Sequence, residues 1–349
     1  MLYQLSYCGG SEPSIARVHN PGMLVLSQAD VEELLDLDAL VEAVAAAMAD
    51  LSAGRASMPT RVAADVEERS GFLAVMPAYA PAQRALTTKL VSLFPLNEGT
   101  DTPTHQALIA VFDAHDGRPV AVIDGTHITA ARTAAGSALS VRLLAREDAR
   151  TLAVLGTGVQ GRAHARAVVR VRPVEQVLLA GRDAERTAAA AAELQSELGL
   201  PVRPTTHEQA VRDADVVCAC TGAVEVVVRR DWLAPGAHVT SVGFNPRGRE
   251  LDDATVADAL LVVESRESAL APAPAGSTDL TEPIASGAFS PNHVHAEIGE
   301  LVAGTRPGRS DPDQLTLYKS VGVAVQDAAA AALVLQAARV RGVGREVEI

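Results

Sequence analysis

At 349 residues the chain exceeds the size at which one hydrophobic core usually stops growing, so two domains are expected. Hydrophobic residues make up 48% but aromatics only 3%, so the interior must be built from Ala, Val and Leu, and a site made of stacked rings is not expected. The formal charge of -13 gives a field that repels phosphate backbones, which argues against nucleic acid as a partner and requires a local basic cluster for any anionic ligand.

The first twenty or so residues, with Gly9, Gly10, Pro13, Pro21 and Gly22, read as a loose arm. MLYQLSYCGG lacks the charged start and long apolar stretch of a signal peptide, and no apolar run reaches the ~18 residues of a membrane helix. A soluble, cytoplasmic protein with no membrane partner is the expectation. From Ser27, SQADVEELLDLDALVEAVAAAMADLSAG has a Ser cap, early acids and apolar residues at helical spacing, the pattern of one broken or two consecutive helices ending near Gly54. From Pro59 to Gly125 the texture changes to TRVAADV, GFLAVMP, ALTTKLVSLF, HQALIAVFDA and RPVAVIDG, short β-rich runs with a hairpin signal at Asp116-Gly117. These predict an antiparallel sheet. A small-residue helix, HITAARTAAGSALSVRLLA, follows it.

Beyond it strands and helices alternate: RTLAVLG, GVQGRAHARAVVRV, VEQVLLAGR, DAERTAAAAAELQSELG, DADVVCACT, AHVTSVG and LLVVES. That is the pattern of a parallel, doubly wound sheet. PAPAG near Ala273 reads as a linker-like loop, and the tail from about Leu315 reads as a long helix returning to the first domain. Cys8, Cys218 and Cys220 have the spacing of neither a disulfide framework nor a zinc site, and His293 and His295 without a third ligand read as a solvated loop, so no metal is expected.

Gly156-Thr157-Gly158-Val159-Gln160-Gly161 follows an apolar strand and opens a helix. The first glycine would make the tight turn, the second admit a pyrophosphate to the backbone, and the third let helix pack on strand, with the helix N-terminus facing the anion. The next strand ends Gly181-Arg182-Asp183. Gly181 stands where an NAD enzyme usually places an acid for the ribose 2′-hydroxyl, and Arg182 suits a 2′-phosphate, so NADP(H) is favoured over NAD(H), with Asp183 on the ribose as the alternative. The expected fold is α/β: a Rossmann doubly wound parallel sheet over residues 131–314, and an α+β substrate-binding and dimerisation domain with an antiparallel sheet over 1–130, to which 315–349 return.

MPTR at Met58 to Arg61, TKLVSLFP around Lys89, DGTHITAARTAAGSALS around Arg132, LGTGVQGRAHA, SVGFNPRGRELDD and LYKSVGVAVQD, in this order, resemble the ornithine cyclodeaminase and mu-crystallin family over nearly the whole chain. The resemblance implies a homodimer paired through the N-terminal sheet, and a dinucleotide whose nicotinamide faces that sheet. It implies that Arg61, Lys89 and Arg132 hold a substrate carboxylate, a role that suits guanidinium and buried ammonium groups. It further implies that Thr104, Arg132, Thr221, Val242, Gly243 and Ser320 touch cofactor and Val321 touches substrate. His105, beside Thr104, is a candidate proton relay.

Two departures bear on the chemistry. Cyclodeaminases carry an aspartate where this chain has Asn245 and a glutamate where it has Ala74. An amide does not accept a proton at neutral pH and an alanine does not bind an ammonium. The expectation is therefore an NAD(P)H-dependent imine (ketimine) reductase, or an amino-acid dehydrogenase, that forms an L-amino acid by hydride transfer, with Lys89 and Asn245 as the catalytic candidates. A cyclodeaminase-type lyase and a mu-crystallin-like binding protein are the alternatives.

Overall fold

The computed structural model describes residues 22–245, 248–272 and 275–348; the amino-terminal arm with Cys8, and residues 273–274 of the PAPAG loop, lie outside these. Strand β1 (Met23–Leu26) leads directly to Ser27, whose hydroxyl and backbone form a reciprocal capping box with Asp30 at the start of α1 (Gln28–Leu34). Leu35 and Asp36 are extended, and the Asp36 carboxylate accepts from Ala39 N at 2.7 Å to start α2 (Leu37–Ser52). The expected helical run is two helices because a second capping residue competes for the backbone in its middle.

Five strands follow: β2 (Val62–Val66), β3 (Gly71–Ala80), β4 (Ala85–Leu93), β5 (His105–Asp113) and β6 (Pro119–Asp124), each antiparallel to the next one. The alternation of burial in β3 from Ala74 onward, with Ala74, Met76, Ala78 and Ala80 inward, marks one face as core. Asp124 then caps α3 (Gly125–Leu144), whose Ala and Gly residues let it run buried between the two halves of the molecule, against α2 on one side.

The second half runs β7 (Thr151–Leu155), α4 (Val159–Val168), β8 (Gln176–Ala180), α5 (Ala184–Leu198), β9 (Val202–Thr205), α6 (His207–Arg212), β10 (Val216–Ala219) and β11 (His238–Ser241). It continues with α7 (Asp253–Asp258), β12 (Leu260–Val263), α8 (Arg266–Ala269), α9 (Thr278–Ser286), β13 (Val294–Glu297) and α10 (Ile298–Val302). The tail is β14 (Thr316–Lys319), α11 (Ala324–Arg341) and β15 (Arg345–Val347). Among the described residues eight strands form a wholly parallel sheet in the order β13-β12-β14-β11-β10-β7-β8-β9. The chain winds outward from β7 in both directions, so a crevice opens at the carboxyl ends of β7 and β10, where such folds bind ligands.

Three expectations are corrected. The tail read as helix from Leu315 begins instead with a strand, because LTLYK is buried in the middle of the parallel sheet, and the helix starts at Ala324. Among the described residues the first sheet has seven strands in the order β15-β1-β6-β5-β4-β3-β2 and is mixed rather than wholly antiparallel, since β1 pairs with β6 in parallel; β15 and β1, of 3 and 4 residues at one end of it, are too short to show alternation in sequence. His295 lies in β13 rather than in a loop, and its Nε2 is 2.9 Å from Pro307 O.

Candidate active site

The glycine-rich turn after β7 is built by contacts that exclude side chains. A Cβ on Gly156, where φ is +112°, would lie 2.5 Å from Cys220 O at the end of β10, and a Cβ on Gly161 would lie 1.9 Å from Gly156 O. At Gly158, the residue that precedes α4, a Cβ would meet nothing within 4 Å among the described residues. The first and third glycines thus close the turn on itself, while the second leaves open space beside the first N–H groups of α4, at Val159 and Gln160. This is a cradle that fits a pyrophosphate, and a bound dinucleotide would lie across it.

At the end of β8 a Cβ on Gly181 would come within 2.6 Å of Thr187 Oγ1 and 2.8 Å of Thr157 Cγ2. Arg182 and Asp183 are exposed beside it, and the Asp183 carboxylate is engaged as the cap of α5, accepting from Arg186 N at 2.9 Å. Across the crevice, one buried carboxylate organises the ends of two strands. Glu250 accepts from Thr221 N at 2.7 Å and Thr221 Oγ1 at 2.8 Å with one oxygen, and from Ser241 Oγ at 2.7 Å and Gly243 N at 2.8 Å with the other. Lys319 completes this floor by donating to Ser241 Oγ at 2.9 Å and Gly243 O at 3.2 Å and pairing with Asp279 at 2.8 Å. Sequence reasoning missed Glu250, Asp279 and Lys319; Glu250 and Lys319 stand inside the RELDD and LYKSVG stretches, but nothing local marks them as partners.

A cavity of about 600 Å³ lies where this floor meets the inner face of the antiparallel sheet. Val242, Gly243, Ser320 and Val321 contribute from the parallel sheet, and Gln160 from α4. Strand alternation supplies the opposite wall. Ala63 is paired with Ala74 and Ala74 with Val91, while Met76 is paired with Lys89, so these side chains share one face, and Phe72, Leu93 and His105 extend it. Of the residues that the sequence nominates for the site, Arg61, Lys89, Arg132, Gln160, Val242, Gly243, Ser320 and Val321 line this cavity. Thr104 does not, its carbonyl accepting from Phe94 N at 2.8 Å, although the neighbouring His105 does. Asn245 does not either; its amide donates to Gly222 O at 2.9 Å, while Phe244 beside it faces the cavity.

The three expected cations converge. Arg61 donates to Val321 O at 3.4 Å and Gly322 O at 3.2 Å, and Arg132 stacks close to Gly322, where a Cβ would be 2.9 Å from its guanidinium nitrogens. Arg132 looks free of charge in its sequence, but Asp327 from the first turn of α11 accepts from its Nε at 3.0 Å. The same carboxylate is 3.1 Å from Lys89 Nζ, and Thr129 Oγ1 is 3.4 Å from that nitrogen. Burial pushes the Lys89 pKa down to about 8, with the Asp327 charge opposing the fall and those of Arg132 and Arg61 deepening it. Burial raises the Asp327 carboxyl, but the charges of Arg132 and Lys89 outweigh it and hold the group below its usual range. The His105 imidazole is held below its ordinary value, first by burial and then by the Lys89 and Arg132 charges. Asp327 beside Lys89 and Arg132, with Glu264 acting on Arg61, sets two carboxylates against three cations and leaves one positive charge in excess that a ligand carboxylate can neutralise.

The model of the ornithine cyclodeaminase/mu-crystallin family matches residues 22–341. A Delta(1)-pyrroline-2-carboxylate reductase of Bacillus cereus is 34% identical over 329 residues, 93% of this chain and 100% of that protein. The ketimine reductase mu-crystallin of Mus musculus is 36% identical over 314 residues, 88% of this chain and 95% of its own length. The structure of Thermococcus litoralis Delta(1)-pyrroline-2-carboxylate reductase in complex with NADH and L-proline superposes with a TM-score of 0.89 at 37% identity, covering 93% of this chain and 100% of that one. With its turn of three glycines and its cluster of three cations around one cavity, this chain belongs to the ornithine cyclodeaminase/mu-crystallin family.

Proposed function

We propose that the chain is an NAD(P)H-dependent imine reductase that converts an imino acid to an amino acid. The observation that carries this reading is the convergence of Arg61, Lys89 and Arg132 on a cavity whose other wall is the floor of the dinucleotide crevice. The reduced nicotinamide supplies the hydride. Arg132 and Arg61 fix the substrate carboxylate, so that the adjacent C=N carbon is held against the crevice floor, and orientation of this kind accounts for much of the rate. Lys89 faces the same space with a transferable proton.

The wall contains Phe72, Ala74, Met76, Val91 and Leu93, with exposed Asp65 beside Phe72, and its apolar surface suits an apolar or cyclic side chain. Cyclic ketimine carboxylates such as pyrroline-2-carboxylate fit this description. NADPH is favoured because exposed Arg182 can meet a 2′-phosphate, while Gly181 has no room for the acid that would bind a ribose hydroxyl. A homodimer is favoured because the outer face of the antiparallel sheet exposes Val62, Leu73 and Leu108. The test is oxidation of NADPH on addition of a panel of imino acids. Lys89→Ala and Arg132→Ala should each lower kcat/KM by about a hundredfold or more with NADPH binding little changed, since removing a positioned proton donor or a preorganised charge at the reacting group costs about 10²-fold or more in rate. Release of ammonia from ornithine or lysine with no net cofactor change would overturn the reading.

A further inference from the structure

Lys89 is fully buried, and the titratable and charged groups around it are Asp327 from α11, Arg132 from α3, Arg61 from the segment before β2 and His105 from β5; Asp65 of β2 and Lys319 of β14 line the same cavity. Three of its neighbours are cationic or can become so. A buried ammonium among guanidinium groups tends to lose its proton, because desolvation and like charge both disfavour the charged form. The carboxylate that opposes this is Asp327, at 3.1 Å. A purely structural counter-ion for Arg132 would not need to reach Lys89 as well; Asp327 bonds both, with Oδ1 3.0 Å from Arg132 Nε. Of the three N–H bonds on Nζ, one is directed to Asp327 and one to Thr129 Oγ1, whose own hydroxyl donates to Gly125 O at 2.6 Å and therefore accepts from Lys89. Lys89 also lines the cavity, so an N–H not held by these two partners can face it.

We infer that Asp327 is a positioning residue for proton delivery: by tying Lys89 to Arg132 it holds the Lys89 ammonium charged and turned toward the cavity, where it protonates the nitrogen of the C=N bond. The inference rests on the reductase reading. As hydride adds to the carbon, the π pair of the C=N bond takes the proton from Nζ to form N–H. Lys89 is left as a neutral amine and regains a proton from water. Arg132 is kept in register with the donor, so the carboxylate and the nitrogen of one substrate are served by groups that share a single counter-ion.

The test is the pH dependence of kcat/KM between about pH 5.5 and 9.5, at saturating NADPH with pyrroline-2-carboxylate, for the unsubstituted protein, Asp327→Asn and Asp327→Glu. Removing an opposite charge at this distance should move the basic limb down by about 1–3 pH units in the Asn variant, and the Glu variant should restore most of it. The ionisation of the substrate itself is common to all three curves and drops out of the comparison. Asp327→Ser, neutral and smaller, gives the same shift if Asn is poorly tolerated, and NADPH binding by fluorescence verifies that each variant is folded. A uniform loss of activity with the limb unmoved would overturn the role of Asp327 while leaving the reductase reading intact. No imine-dependent NADPH oxidation by the unsubstituted protein would instead remove the reductase reading.

Discussion

Arg132 and Glu264 are joined through a single amide: Gln326 accepts from Arg132 Nη1 at 3.0 Å and donates to Glu264 Oε1 at 2.9 Å. Only one orientation of the amide suits a guanidinium on one side and a carboxylate on the other. Glu264 also receives Ser320 Oγ at 3.0 Å and the N–H groups of Val321 and Gly322 at 2.8 Å, so the end of β12 holds both the crevice floor and the carboxylate clamp. Replacing Gln326 by Leu should leave two buried groups short of a partner, at a cost of roughly 1–3 kcal/mol each. A lower Tm and a KM for the imino acid raised several-fold, with a smaller change in kcat, are expected from thermal unfolding and steady-state kinetics. Unchanged KM would show that the bridge does not orient Arg132.

The glycines of the turn should separate folding from cofactor binding. Gly161→Ala places a Cβ 1.9 Å from Gly156 O and should lower both Tm and NADPH affinity. Gly158→Ala meets no atom of the described residues within 4 Å, so Tm should hold while the dissociation constant for NADPH rises at least tenfold. Calorimetry and cofactor titration of the two variants measure this directly; equal NADPH affinity in Gly158→Ala and the unsubstituted protein would place the pyrophosphate elsewhere.

Cofactor choice is expected to reside in Arg182. Arg182→Ala should weaken NADPH binding about tenfold or more and leave NADH nearly unaffected, since only the former offers a phosphate to a guanidinium. Gly181→Asp should not simply convert preference to NADH, because its Cβ would have to displace Thr187 Oγ1 from 2.6 Å. Tighter binding of NADH than NADPH by the unsubstituted protein would be the contrary result.

Paired copies should cover the outer face of the antiparallel sheet. Val62, Val75, Leu90 and Leu108 form one row across four strands, and Val62 and Leu108 are 65% and 41% exposed, with Leu73 nearby at 45%. Light scattering should give twice the 36.2 kDa chain mass, and Leu108→Asp should shift the species toward the single-chain mass. A monomer at micromolar concentration would refute the pairing.

Two neutral histidines predict acid sensitivity. Burial holds His238 down to about 3, with Arg309 and Arg172 adding to the fall, and burial holds His164 down to about 4. Both folded values lie below the unfolded 6.5, so the unfolded chain takes up protons first as pH falls. Their stabilising contribution is complete above about pH 6.5 and is lost progressively toward pH 4 and then 3. His238→Gln keeps an amide near Ser140 Oγ and Thr316 Oγ1, which lie 3.1 Å and 2.8 Å from the two ring nitrogens, without a titrating group. The difference in urea midpoint between variant and parent should therefore shrink as pH is lowered from about 7.5 to about 4.5; a constant difference would contradict it.

Local sequence determined what local sterics and periodicity control. The three glycines from Gly156 to Gly161 are dictated by close backbone approach within six residues, Ser27 and Asp36 start helices through bonds to residues three positions on, and the alternation of β3 marks its buried face. Arg61, Lys89 and Arg132 became legible through the stretches they share with a family. Only the tertiary structure supplied their electrostatic context. Asp327 reaches Lys89 across 238 positions and Arg132 across 195, and Glu250 and Lys319 meet the same Ser241 and Gly243 from different loops and strands. The strand Thr316–Lys319 was hidden for a related reason: all four of its residues are buried in the parallel sheet, polar Thr316 and Lys319 included, so no exposed face marks it off from the helix that follows. Charge pairing and burial depend on distances in space, and no spacing along the chain encodes which acid will stand beside which base.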